Sequence, residues 1–223
     1  MIQNDFVGLA LVYIYVAILL IITEKILDKY PAANRKILHI MTGNIAFLLP
    51  VFQTREAMTF FAAAPFILFT FLMSPYSPIK SIKGKTSAAG HGLGLVYYAI
   101  SWTILAYIFF DHMVVIAIAI FAMSYGDGFA SLLGAKFSKR KYKIFGDKKS
   151  YVGSISMFIF TLIMTVIAFL YYGVDITSYK LLILAFIAMA AAIIEAITPK
   201  GLDNLSVPLS ISAIYWFLLI YKS

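Results

Sequence analysis

The apolar positions of this chain fall in long unbroken runs, not in alternation, from its first ten residues to its last. A lipid-embedded backbone can satisfy its own hydrogen bonds only as a helix or a closed barrel, and a crossing helix takes about 20 mostly apolar residues. The runs therefore predict helices near Phe6 to Ile22, Ile37 to Phe52, Ala57 to Met73, Gly92 to Phe110, Met113 to Ala135, Val152 to Tyr172, Leu181 to Ile197 and Leu205 to Tyr221. Polar loops separate them near residues 23–36, 74–91, 136–150 and 198–204. The expected fold is an all-α integral membrane protein of about eight transmembrane helices, with residues 1–223 forming a single transmembrane domain.

Composition agrees with that pattern, since 62% of the 223 residues are hydrophobic, against about 45–50% in soluble proteins. No separate soluble domain is left over. Charge then orients the helices, because cytoplasmic loops collect Lys and Arg. Of the 18 basic residues, only Arg55, Lys180 and Lys222 fall outside the four loops named above. Those loops are expected at the cytoplasmic face with both termini outside, and one helix more or fewer would scramble the segregation. The net charge of +8 is explained by this bias, which points to the bilayer and not to nucleic acid as the partner. The absence of Cys excludes disulfide frameworks and thiolate metal sites. No inverted repeat is visible, which counts against a small membrane transporter.

Polar residues that lipid disfavours mark the candidate chemistry. Ser124, Asp127, Gly128 and Ser131 recur at helical three and four spacing near the end of the fifth run, forming one small, polar, approachable face. Helix packing through Gly126, Ala130 and Gly134 explains the glycines but not the carboxylate. A basic loop follows and closes with Gly146, Asp147, Lys148, Lys149, Ser150, Gly153 and Ser154 as the sixth helix begins. Backbone N–H groups, a positive dipole end and ammonium charges there suit a phosphate or nucleotide. Glu195 stands among alanines in the seventh run, and Asp203 and Asn204 precede the eighth. Asp203 or Asn204 can cap that helix, and the Glu195 and Asp203 carboxylates can join Asp127 in supplying the oxygen ligands that Mg²⁺ prefers. Arg35 and His39 share a face of the second helix, as interfacial anchors or as phosphate-handling groups. Lys83, Gly84, Lys85, Thr86 and Ser87 resemble the tail of a P-loop, but Ile79 stands where its first Gly belongs.

Taken together, these stretches resemble the CTP-dependent membrane lipid-alcohol kinases, the family of dolichol kinase, phytol kinase and yeast-type diacylglycerol kinase. Arg35 to Gly43 resembles an early Arg-Lys-x-x-His-x-x-x-Gly segment. Gly126 to Gly134, followed by Lys148 to Ser154, is similar to the Gly-Asp-Gly and Lys-Ser-x-x-Gly-Ser core, with Tyr151 where Trp is more usual. Glu195 and Gly201 to Pro208 look like the closing acidic block, and Gly94 to Tyr98 is a weaker match. The resemblance implies transfer of the γ-phosphoryl group of CTP, or of ATP, to the hydroxyl of a polyprenol, phytol or geranylgeraniol type of lipid. It implies that Asp127 and Glu195 hold Mg²⁺, or that Asp127 accepts the hydroxyl proton. Lys148, Lys149, Ser150, Gly153, Ser154, Asp203 and Asn204 would hold the nucleotide, and Arg35 and His39 the transferred group. The expected setting is a cell membrane in a prokaryote and the endoplasmic reticulum or plastid membrane in a eukaryote. A phosphatidate or archaeal-lipid cytidylyltransferase uses the same reactants and is the nearest alternative.

Overall fold

A computed structural model describes residues 2–26, 31–79, 92–144, 147–199 and 201–220. Five helices among them are long and apolar enough to cross a membrane: Gln3–Ile26, Phe110–Phe137, Tyr151–Tyr171, Ser178–Ile197 and Asp203–Ile220. Ala57–Met73 and Gly94–Ile108 are shorter apolar helices. The chain divides into two compact units, Met1–Met113 and Val114–Ser223.

The first unit contains α1 (Gln3–Ile21), α2 (Pro31–Thr42), α3 (Pro65–Met73) and α4 (Gly94–Ile108). The run expected as one helix from Ile37 to Phe52 is not one. It is α-helical only to Thr42 and continues as 3₁₀ turns at Gly43–Phe47 and Leu49–Val51. Gly43 and Asn44 are weak helix formers, and Pro50 removes a donor and disfavours helical geometry at Leu49. The buried carboxylate of Asp5 holds this irregular stretch in place. Its Oδ1 accepts from the Gln53 and Thr54 backbone N–H at 2.8 and 3.1 Å. Its Oδ2 accepts from the Thr54 hydroxyl at 2.8 Å and from the Ile2 N–H at 2.9 Å. Four donors on one carboxylate repay much of its desolvation, so this acid is structural. Arg55 pairs with Asp111 at 2.5 Å.

In the second unit, α5 (Met113–Phe121) runs through a π-helical turn at Ala122–Gly126 into α6 (Asp127–Phe137). A hairpin of β1 (Lys141–Ile144) and β2 (Asp147–Ser150) leads to α7 (Tyr151–Tyr171), α8 (Ser178–Ile197) and α9 (Asp203–Tyr215). Every side chain from Val115 to Ser124 is buried, as an apolar segment with no polar stripe requires. The π turn packs against α7, α8 and α9, and α7 packs along both α6 and α8.

The hairpin departs from the expected irregular loop. It is antiparallel, with Tyr142 opposite Lys149 and Lys143 opposite Lys148. Lys141-Tyr142-Lys143-Ile144 alternates polar and apolar residues, the period of a strand with one covered face. Lys141 and Lys143 are correspondingly exposed, while Tyr142 and Ile144 are half-buried.

Candidate functional site

Three carboxylates from three elements meet in the second unit. Asp127 opens α6, Glu195 lies in the last turn of α8, and Asp203 opens α9. One oxygen of each lies within 4.8 Å of the others. The fold brings them together through two local devices. The π turn at Ala122–Gly126 adds one residue to a helical turn immediately before Asp127. Gly201, at φ +78°, takes a conformation that side chains resist and reverses the chain between Glu195 and Asp203.

Their electrostatic settings differ. Asp203 sits at a helix amino terminus, where a negative charge is favoured, whereas Asp127 lies inside the continuous Phe110–Phe137 helix just after its π turn. Glu195 is only 5% exposed and sits at a helix carboxyl end, where the macrodipole opposes it. Lys149 answers this: its ammonium donates to Glu195 Oε1 and lies 3.5 Å from Asp203 Oδ2. Burial works against the charge on Lys149, but Glu195, Asp203 and Asp127 outweigh it and hold the ammonium above its ordinary range. Lys149 supplies one positive charge to three carboxylates, and hard oxygen donors in such surplus fit a divalent cation of the Mg²⁺ type.

The turn before α7 is closely packed. Ser150 Oγ caps the helix by accepting from Gly153 N–H at 3.1 Å. A Cβ added to Gly134 would lie 2.6 Å from that Oγ and 3.3 Å from Gly153 Cα. One added to Gly153 would lie 3.1 Å from the Ala130 carbonyl oxygen. These glycines let α6 and α7 approach at the point where Lys149 enters the cluster. The Cβ of Gly153→Ala would also lie 2.9 Å from the capping Ser150 Oγ, so the cap must shift, which should cost about 1–3 kcal/mol, read as a lower thermal midpoint of the purified protein. Tyr142 adds a second tie, its hydroxyl 2.6 Å from Ser154 Oγ.

The residues singled out in the sequence separate here into groups. Asp127, Glu195, Asp203 and Lys149 converge. Lys148 is exposed on the opposite face of β2, because adjacent strand residues point to opposite sides. Ser150 and Gly153 form the helix cap, and Asn204 is buried one residue after Asp203. Ser124, within the π turn, is buried and Ser131 is exposed. Arg35 and His39 belong to the first unit, where the His39 ring meets Tyr98 edge-on at 5.4 Å. Gly146, Lys200 and the stretch from Lys80 to His91, including the P-loop-like residues, lie outside the described residues. The sequence reading missed the hairpin and Tyr142, although the alternation from Lys141 to Ile144 signalled both.

The fold and this cluster define a mainly helical protein with bilayer-length apolar helices and an acidic site that Lys149 joins from a short hairpin. The chain is 32% identical over 216 residues, 94% of its length, to the phytol kinase of Synechocystis sp., of which it covers 90%. It is also 32% identical over 194 residues to phytol kinase 1, chloroplastic, of Arabidopsis thaliana, with 79% of this chain and 63% of that protein aligned. The chain belongs to the phytol kinase family. No family model and no solved structure matches it.

Proposed function

We propose that the protein is a membrane kinase that transfers the γ-phosphoryl group of a nucleoside triphosphate to the hydroxyl of an isoprenoid alcohol. The acceptor is of the phytol, geranylgeraniol or polyprenol type, and the donor is CTP, with ATP able to supply the same chemistry. The observation that carries this reading is the meeting of Asp127, Glu195, Asp203 and Lys149 from distant segments, in a chain related to phytol kinases throughout most of its length. In the transfer, the bond from the γ-phosphorus to its bridging oxygen breaks and a new bond forms to the alcohol oxygen. The nucleoside diphosphate leaves, and the hydroxyl proton passes to a carboxylate.

Asp127 and Glu195 are assigned to Mg²⁺, with Asp127 as the alternative acceptor of the hydroxyl proton. Bound there, Mg²⁺ supplies charge neutralisation to the phosphates. Lys149 holds Glu195 and Asp203 in place and offers its ammonium to the nucleotide, beside Ser154 and Asn204. Lys148 provides a second, solvent-facing charge, and Ser150 and Gly153 keep the amino terminus of α7 formed. Arg35 and His39 steady the transferred group. This reading sets the chain as one transmembrane domain with eight crossings, both termini outside and the site at the cytoplasmic face. The host membrane is the cell membrane of a prokaryote, or the endoplasmic reticulum or plastid membrane of a eukaryote.

Purified protein incubated with γ-labelled CTP or ATP and a panel of lipid alcohols should yield a labelled lipid and the nucleoside diphosphate. A cytidylyltransferase instead releases pyrophosphate and leaves the lipid without the γ label. That product pattern would overturn the kinase reading.

A further inference from the structure

The hairpin that carries Lys149 has a second face, which the acid cluster does not use. Strand residues alternate sides, so Lys141 and Lys143 share one face of β1, and Lys143 stands directly opposite Lys148 of β2. All three are exposed. The other face is tied to the helices. There the Tyr142 hydroxyl lies 2.6 Å from Ser154 Oγ, its ring meets the Tyr151 ring at 5.2 Å, and Lys149 pairs with Glu195. These ties hold the lysine face outward. Like charges directly opposite each other destabilise a strand pair, and the exposed Lys136, Lys139 and Arg140 add to the repulsion. Residues 136–149 contain seven Lys or Arg and a single acid, Asp147. A face of this kind is stabilised by an anion placed against it.

The place of the hairpin in the chain says which anion. It joins two helices long and apolar enough to cross a membrane, with Lys141 four residues after the end of α6 and Lys148 three residues before the start of α7. At about 3.3 Å per residue, these backbone positions stand no more than about 13 Å along the strands from a helix end. A long lysine side chain covers much of that distance to the headgroup layer. Phe137 and Tyr151, at the two helix ends, are 57% and 58% exposed, as aromatic residues at the membrane–water boundary are. The Lys136 ammonium lies 5.1 Å from the centre of the Phe137 ring, at the same level. A soluble anion reaches such a face only from dilute solution, whereas a phospholipid is held beside it by its own acyl chains.

We propose that the face formed by Lys141, Lys143 and Lys148 binds the headgroups of anionic phospholipids, and that the bound lipid steadies the hairpin from which Lys149 reaches the acids. Each Lys near an anionic membrane surface strengthens binding about fivefold, so loss of two should weaken it at least about tenfold. The full chain in neutral detergent, titrated with dioctanoyl phosphatidylglycerol, provides the test. Lys141→Gln/Lys143→Gln protein should bind this lipid at least about tenfold more weakly than the unsubstituted chain, and Lys141→Arg/Lys143→Arg protein should bind it as the unsubstituted chain does. Lys25→Gln/Lys180→Gln protein loses the same charge elsewhere and should also bind normally. Equal weakening there would reduce the effect to net charge and overturn the site. Inorganic phosphate at the same concentration should leave the lipid bound; displacement would make this a soluble-anion site and overturn the proposal as well. Thermal unfolding reads the effect on the hairpin. Without anionic lipid the Gln pair should unfold no lower than the unsubstituted chain, because it has lost a repulsion, and phosphatidylglycerol should raise the midpoint of the unsubstituted chain by more. A Gln pair that unfolds lower in neutral detergent, or gains as much from the lipid, would overturn the steadying role. Neither measurement involves phosphoryl transfer, so failure here leaves the kinase reading standing.

Discussion

Asp127→Asn protein should insert and fold as the unsubstituted chain does, yet turn over at least about a thousandfold more slowly. The substitution keeps the size of the side chain and one carbonyl oxygen, so the packing around the π turn and the buried segment before it is preserved. What it removes is one of three negative charges within 4.8 Å and the only basic lone pair that Asp127 could offer a proton. Phosphoryl transfer depends almost wholly on positioning and electrostatic stabilisation. Loss of one preorganised charge in a dry site commonly costs factors of about 10²–10³ in kcat. Asp127 is assigned either to the metal or to the hydroxyl proton, and a neutral amide serves neither role. Steady-state kinetics, with thermal unfolding as the folding control, check this. Near-normal kcat in a well-folded Asp127→Asn protein would transfer the chemistry to another group.

Helix content and the site acids were legible in the sequence because both are written in local patterns. Apolar runs of bilayer length can bury themselves in no other way, and a carboxylate in such a run stands out whatever the fold. The convergence of Asp127 with Glu195 and Asp203 was inferred from chemistry, since only facing charges and a metal justify three acids in an apolar setting, and the geometry agrees. Composition could not reveal the details that depend on register. The π turn at Ala122–Gly126 carries no residue signature and arises from packing against three helices. Lys148 and Lys149 are neighbours with equal charge in the sequence; only strand geometry sends one to solvent and the other to Glu195. The break in the second apolar run was signalled by Gly43, Asn44 and Pro50, but hydrophobicity outweighed that signal.

Lys149→Met should produce the second largest effect, and its character separates a cation that only handles phosphate from one that also holds the acids together. Lys149 contacts Glu195 and lies 3.5 Å from Asp203 Oδ2, so its loss leaves three carboxylates facing each other without their ammonium. Breaking a buried pair by removing one partner typically costs about 3–5 kcal/mol, because the remaining charge is neither solvated nor matched. The metal-free variant should therefore unfold at a lower temperature. Millimolar Mg²⁺ should raise its midpoint by more than it raises that of the unsubstituted protein, since the ion takes over the neutralisation that Lys149 provided. The kcat/KM for the nucleotide should fall about a hundredfold or more even at saturating Mg²⁺, because the ion restores the acids but not the donor to phosphate. The pH profile supplies an independent check. The acids hold the Lys149 ammonium above its ordinary range, so its contribution to stability is fully present below the ordinary lysine value of about 10.4 and is lost only as pH rises through its higher folded value. The stability difference between Lys149→Met and the unsubstituted chain should thus stay constant from neutral pH to about 10 and narrow only in stronger alkali. A difference that closed near neutrality would mean that Lys149 is uncharged at the pH where the protein works, and its place at the centre of the site would be lost.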